Sequence, residues 1–121
     1  MSNTNEPQAV WPAGETALET MFRHNLWANL KLIDLCAGLD EAQLAQTLPG
    51  TYGAIYDTLS HIVRAEQGYL YHLTQDSPVP RMVRETRYDL ATLRENARLF
   101  GEGLRAVAAR FPAALREWEA H

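Results

Sequence analysis

A histidine and a glutamate lie five residues apart in the stretch from Thr51 to Thr74, TYGAIYDTLSHIVRAEQGYLYHLT. Histidine is the commonest metal ligand among the side chains and can also act as a general acid or base. Glu66 falls among apolar residues that recur at three- and four-residue steps, where a carboxyl group costs free energy unless it is neutral or paired. His61 and Glu66 are therefore the first candidates for chemistry in this chain.

Three further polar residues could support these two. Asp57 precedes His61 by one helical turn, so its carboxylate could orient the imidazole, as metal-bound histidines usually require. Asn25 and Asn29 stand one turn apart at positions where an amphipathic helix normally carries aliphatic side chains. Buried amides need partners, so the pair suggests a polar pocket. We favour the alternative, in which both lie at the edge of the apolar stripe and bond to water or to backbone.

Each titratable candidate also has a structural interpretation. Glu66 could be an acid/base or metal-supporting group beside Asn25 or Asn29, or a carboxylate paired with an arginine or a tyrosine hydroxyl, and we favour the pairing. His24 matches no pattern and is interpreted as a surface residue. His72 follows His61 by eleven residues, about 16 Å along a helix axis, so the two cannot share one site.

Three long helices must position these residues. Hydrophobic periodicity predicts helices over residues 15–37, 51–74 and 89–111, and no strand-like alternation occurs between them. Thr51 and Asp89 are the predicted N-caps of the second and third helices. The fold class is therefore all-α.

Glycine, proline and capping residues mark the predicted ends of these helices. Gly38 is expected to end the first helix, and Asp40 with Gln43 predicts a short turn closed by a capping box. Pro112 is expected to end the third helix or to begin a new element, leaving a helical stub over residues 112–121.

The segment between Thr74 and Arg87 contains two prolines and lacks periodicity, which predicts a long crossover. A long connection lets the next helix run parallel to the last, so an up-down-down order is allowed. Arg81, Arg84 and Arg87 could together grip a phosphate or a carboxylate, although we favour a solvated linker.

The second helix carries a second face of mostly small residues, which would let a neighbouring helix approach closely. This face consists of Ala54, Thr58, His61, Ala65, Gly68 and His72. Three helices leave such a face with too few partners, so we expect a second copy of the chain to cover the exposed seam and predict a homodimer.

Aromatic residues near this helix admit two interpretations. They could line a cleft for an organic substrate, or they could be core or dimer contacts, and we favour contacts. The residues are Trp27, Tyr52, Tyr56, Tyr69 and Tyr71.

Length and composition exclude several classes. A chain of 121 residues predicts one domain over residues 15–121 behind a flexible tail of residues 1–14. The net charge is −4 and the basic residues are scattered, so the basic patch expected of a nucleic-acid-binding protein is absent from the sequence. No run of apolar residues is long enough to span a membrane. Cys36 is the only cysteine and the first residues lack a signal peptide, so we expect a cytoplasmic protein.

The chain resembles the DinB-like family of small bacterial metalloenzymes over residues 20–111. The resemblance rests on HNLWANLKLIDLCAGL in the first helix, GTYGAIYDTLSHIVRAEQGYL leading into the second and DLATLRENARLF in the third. It implies a helical bundle in up-down-down-up order, often dimeric, and a name that refers to DNA-damage inducibility suggests a stress response.

The resemblance further implies a divalent metal, zinc or nickel, held by three histidines. The family pattern around the first ligand is DTLSHIVRAE here, which selects His61. The other two ligands belong to an H-x-x-x-H motif on a fourth helix, which we expect to be truncated or absent because the sequence given ends at His121 without that motif. The resemblance assigns no metal-ligand role to His121, because no histidine precedes it by four residues.

Two function classes follow from this resemblance. The first is a metal-dependent transferase, isomerase or hydrolase in which a metal-bound water or a low-molecular-weight thiol is activated. The second is a catalytically silent bundle that serves for dimerisation or partner binding. Neither the substrate nor the thiol is identified by the sequence.

Overall fold

The computed structural model describes residues 15–47, 49, 50 and 53–119, with backbone only for residues 111–119. Four helices form within these ranges, and no strand does, which confirms the all-α class. An isolated bridge joins Thr47 to Ala54. The helices are α1 (Ala17–Cys36), α2 (Glu41–Leu44), α3 (Ile55–Thr74) and α4 (Leu90–Glu119).

Helices α1 and α4 run antiparallel. Late in α1, Asp34 accepts a hydrogen bond from Arg94 near the start of α4. Earlier in α1, Leu26 packs against Gly101, so closely that a Cβ on this glycine would lie 2.6 Å from a Leu26 methyl carbon. The order of these contacts fixes the direction of the two helices.

Helix α3 runs parallel to α4, as the long crossover allows. At the start of α3 the Tyr56 hydroxyl accepts a hydrogen bond from the backbone N–H of Tyr88, just before α4. Toward the other end, Leu70 packs against Gly103. The three long helices are therefore arranged up, down and down.

The core lies where these three helices meet. Its most deeply buried large side chains are Val63, Leu93 and Phe100. The predicted stripe of the last helix is confirmed at Leu93, Ala97, Phe100 and Leu104, all of them buried.

Helix α3 begins at Ile55, so the predicted N-cap at Thr51 is wrong; Thr51 itself lies outside the described residues. Gly50 and Gly53 have positive φ angles of 85° and 67°, which hold a turn before the helix. Ala54 is the N-cap, and the Asp57 carboxylate accepts a hydrogen bond from its N–H at 3.1 Å. The N-cap thus directly follows a glycine in the left-handed region of backbone conformation.

The predicted N-caps at Asp40 and Asp89 are confirmed, whereas Gly38 lacks the positive φ angle of the C′ glycine that was predicted. Asp40 and Gln43 form a capping box at α2, and the Asp89 carboxylate accepts a hydrogen bond from the Thr92 N–H at 2.7 Å at the start of α4. Helix α1 ends at Cys36 with Ala37 as its C-cap, directly before Gly38.

The prediction that Pro112 ends the last helix is wrong, since α4 continues to Glu119. An interior proline removes one backbone hydrogen bond, here the one to the carbonyl of Ala108. The residues that follow, AALRE, are mostly strong helix formers, which favours continuation. The predicted tail of residues 1–14 lies outside the described residues. Across the described part of the chain, no helix has the length and apolarity to cross a membrane.

Candidate functional site

A buried glutamine fastens the crossover loop to α3. The Gln67 Nε2 donates to the Ser77 hydroxyl at 3.0 Å and to the carbonyls of Val79 and Pro80 at 3.3 and 3.1 Å. Its Oε1 accepts from the backbone N–H of Met82 at 2.8 Å. Both ends of this amide are used, so the loop is held against the helix in one position.

The fastened loop and α3 enclose a cleft of about 730 Å³. Small-molecule sites commonly have volumes of about 300–1,000 Å³, so the cleft is large enough for an organic ligand. One wall consists of α3 residues at helical spacing, including His61, Ala65, Gly68 and His72. The opposite wall is the loop, with Arg81 and Met82.

The small-residue face of α3 therefore forms a wall of the cleft. His61, Gly68 and His72 are exposed, and a Cβ built on Gly68 meets no atom within 4 Å. Within the described residues, the expected close contact with a second helix on this face does not occur. The face is open to a ligand or to a further chain segment.

His61 does not meet enough ligands in the described residues to form the expected metal site. No three side chains of His, Cys, Asp or Glu converge within these ranges. A zinc site takes at least three protein ligands, so the three-histidine site implied by the resemblance does not fit these residues alone. The Asp57 carboxylate is engaged at the start of α3, and His121 lies outside the described residues.

His24 is an exposed residue, as predicted. Its ring lies 5.6 Å from that of Trp27, centroid to centroid, on the surface of α1. This contact accounts for His24 without any role at the cleft.

Glu66 lies in a separate pocket between α1 and α3. Its Oε1 accepts hydrogen bonds from the side-chain amides of Asn25, at 3.0 Å, and of Asn29. The interpretation of the asparagines as a polar pocket is therefore correct, and the favoured alternative of water or backbone partners is wrong. The favoured pairing of Glu66 with an arginine or a tyrosine is wrong as well, because its hydrogen-bond partners in the described part of the chain are these two asparagine amides.

Burial governs the acidity of this carboxyl group. Glu66 is only 6% exposed, and its Oε2 has no hydrogen-bond partner in the described part of the chain. Burial raises the pKa of Glu66, while the bonds from Asn25 and Asn29 act in the opposite direction. The separation of five positions between His61 and Glu66 corresponds to about 140° around a helix, which explains why Glu66 does not line the cleft.

Exposed apolar side chains flank the Glu66 pocket on both helices. On α1, Met21 lies one turn before Asn25, while Leu32 and Leu35 lie one and two turns after Asn29; the three are 65%, 39% and 65% exposed. On α3, Tyr69 and Leu73 follow Glu66 by one and two turns and are also exposed. Together these five residues form what we call the apolar seam.

The aromatic residues divide between core and surface. Tyr56 is buried and belongs to the core, as favoured. Trp27, Tyr69 and Tyr71 are more than half exposed, and Tyr71 lines the cleft, so core packing is wrong for these three. Tyr52 lies outside the described residues.

Arg81, Arg84 and Arg87 of the linker do not together form one anion-binding site. Arg87 pairs with Glu41 at 3.0 Å and lies 3.7 Å above the Tyr56 ring, away from the cleft. Arg81 lines the cleft, where it is joined by Arg64 from α3. The sequence analysis did not identify Arg64 or Gln67. The hydrogen-bond partners of Gln67 lie on a loop without periodicity, and Arg64 and Arg81 line the same cleft only because that loop folds back against α3.

Comparison with known families gives one finding about this chain. The family model described as the DinB family matches residues 1–120. Neither the curated proteins nor the solved structures provide a match.

Proposed function

Because the chain belongs to the DinB family, we propose that it is a metal-dependent enzyme with the α3 cleft as its substrate site and His61 as one metal ligand. The observation that carries this proposal is the position of His61, which is exposed on a wall of the cleft. A ligand in the cleft can therefore reach this imidazole directly.

The proposal requires ligands from beyond the described residues. One imidazole does not hold zinc or nickel tightly, so the remaining ligands must come from another part of the polypeptide or from a second copy. We propose transfer, isomerisation or hydrolysis as the reaction class, with a low-molecular-weight thiol as a candidate co-substrate. The proposed location is the cytoplasm, where a lone buried thiol such as Cys36 stays reduced.

Metal analysis tests this function. Protein purified without a nickel column is reconstituted with zinc or nickel, dialysed and analysed by mass spectrometry for bound metal. We expect bound metal in the wild type and in the control variant His24→Ala, and its loss in His61→Ala. Equal metal content in His61→Ala, or none in the wild type, would overturn the proposal.

The apolar seam favours a second candidate function, a bundle that dimerises without catalysis. A second copy is the proposed occupant, because α1 and α3 of two copies related by a two-fold axis would make a self-complementary four-helix contact. Size-exclusion chromatography with light scattering should show a dimer at micromolar concentration, and Leu35→Glu should give a monomer. A wild-type monomer would exclude this candidate.

A further inference from the structure

Two arginines in the cleft differ from the ion-paired arginines of this protein. Among the described residues, neither Arg64 nor Arg81 has a carboxylate within salt-bridge distance, and Arg64 donates instead to the Ser60 hydroxyl at 3.3 Å. Four other arginines each pair with a carboxylate: Arg23, Arg87, Arg94 and Arg98. Two positive charges thus face the cleft with no counterion from the part of the chain that the structure describes.

The described residues that form the walls of the cleft add no negative charge. No aspartate or glutamate occurs among the described residues that line it. The nearest acidic residue along the loop is Asp76, whose carboxylate accepts a hydrogen bond from the Ser77 N–H at 2.8 Å and so serves the loop itself. In a chain of net charge −4, this gathering of cationic groups makes the cleft a local site of positive potential.

Arg81 is also held in place. The residues on either side of it, Pro80 and Met82, both bond through their backbone to Gln67. Arg64 lies on α3, one turn before that glutamine. The two guanidinium groups are thus carried by fixed backbone, which lowers the entropy cost of closing on a ligand.

We propose that this cleft binds a small organic anion, whose carboxylate or phosphate group is held by Arg64 and Arg81. The planar guanidinium group can donate two parallel hydrogen bonds to either type of anion. Tyr71, half exposed on the same wall, offers an apolar surface to the rest of the ligand. The inference rests on the proposed function only in taking the bound anion to be the substrate, since the binding itself needs no metal.

Binding is tested on metal-free protein in the presence of a chelator, which separates this inference from the metal proposal. Benzoate, phenyl phosphate and neutral benzamide are titrated into isotopically labelled protein and followed by backbone amide NMR. We expect saturable shifts at Arg64, Ala65, Gly68 and Arg81 with at least one of the two anions. Tighter binding of benzoate identifies a carboxylate ligand, and tighter binding of phenyl phosphate a phosphate ligand.

Variants then identify the groups responsible. Arg64→Gln and Arg81→Gln should each weaken binding of the preferred anion about fivefold or more, whereas Arg98→Gln, a control on α4 that does not line the cleft, should leave it unchanged. Thermal unfolding of each variant verifies that it is folded. Equal shifts with benzamide, equal loss in the Arg98 control, or no shift with either anion would overturn the inference.

Discussion

The Oε1 of Gln67 accepts a hydrogen bond from the backbone N–H of Met82 at 2.8 Å, across fifteen residues of sequence. The same side chain donates to the carbonyls of Val79 and Pro80. The crossover has no regular secondary structure, and the buried side-chain amide of Gln67 binds its backbone polar groups instead. This amide also shapes the cleft, because the loop it holds is the wall opposite His61.

Loss of this amide should loosen the cleft wall. Gln67→Ala leaves a buried N–H without its acceptor, which costs about 1–3 kcal/mol of stability. We expect faster hydrogen exchange at the Met82 amide and a lower free energy of unfolding. Gln46→Ala, which removes an exposed glutamine side chain, is the control and should change neither quantity. Unchanged exchange at Met82 in Gln67→Ala would show that the loop is held by other contacts.

The Glu66 pocket should make stability depend on pH. Burial raises the pKa of Glu66 above its ordinary value of 4.5, so the folded state binds its proton more tightly than the unfolded state does. This favourable contribution is fully present below about pH 4.5 and is lost as pH rises through the raised folded-state pKa. Urea unfolding of the wild type should therefore show a loss of stability over this range.

Glu66→Gln should remove that loss, because its amide oxygen can still accept from Asn25 and Asn29 but does not ionise. The stability of the wild type relative to this variant should fall as pH rises. Glu85→Gln, a change of an exposed carboxylate, should retain the wild-type dependence. If the free energy of unfolding changed with pH in the same way for the wild type and Glu66→Gln, the raised pKa of Glu66 would be contradicted.

Close helix packing at Gly101 should not tolerate an added methyl group. A Cβ there would lie 2.6 Å from a methyl carbon of Leu26, so Gly101→Ala should destabilise the protein by about 1–3 kcal/mol. Gly68→Ala is the matched control, since its Cβ meets open space, and should stabilise α3 by about 0.5–1 kcal/mol. Thermal unfolding measures both, and a loss of equal size in the two variants would argue against this packing of α1 on α4.

Cys36 should resist alkylation in the folded protein. Its side chain is buried, and burial raises the pKa of the thiol, which reduces the reactive thiolate. Iodoacetamide should modify Cys36 at neutral pH only as the protein unfolds in urea. Rapid labelling under native conditions would show that α1 opens at this end.

Local patterns predicted the elements better than their connections. The stripe of α4 and the caps at Asp40 and Asp89 depend on neighbouring residues, so the sequence alone suffices for them. Helix α3 starts only after Gly53, whose φ angle is positive, and no hydrophobic pattern encodes that backbone conformation.

Contacts between distant segments account for the remaining differences. The sequence marked both Glu66 and Asn25 as unusual, but their hydrogen bond joins residues forty-one apart and depends on how α1 meets α3. The cleft likewise arises from the bonds of Gln67 to an aperiodic loop. Sequence periodicity carries no information on either contact.

The role of His61 as a metal ligand is tested most directly by NMR of the histidine rings. Protein with ¹⁵N-labelled imidazoles is titrated with zinc, and the His61 signals are assigned through His61→Ala. We predict that the His61 nitrogen resonances shift first and saturate near one equivalent, while those of His24 do not move. Unchanged His61 resonances, or His24 resonances that shift at a lower zinc concentration than those of His61, would contradict the proposal.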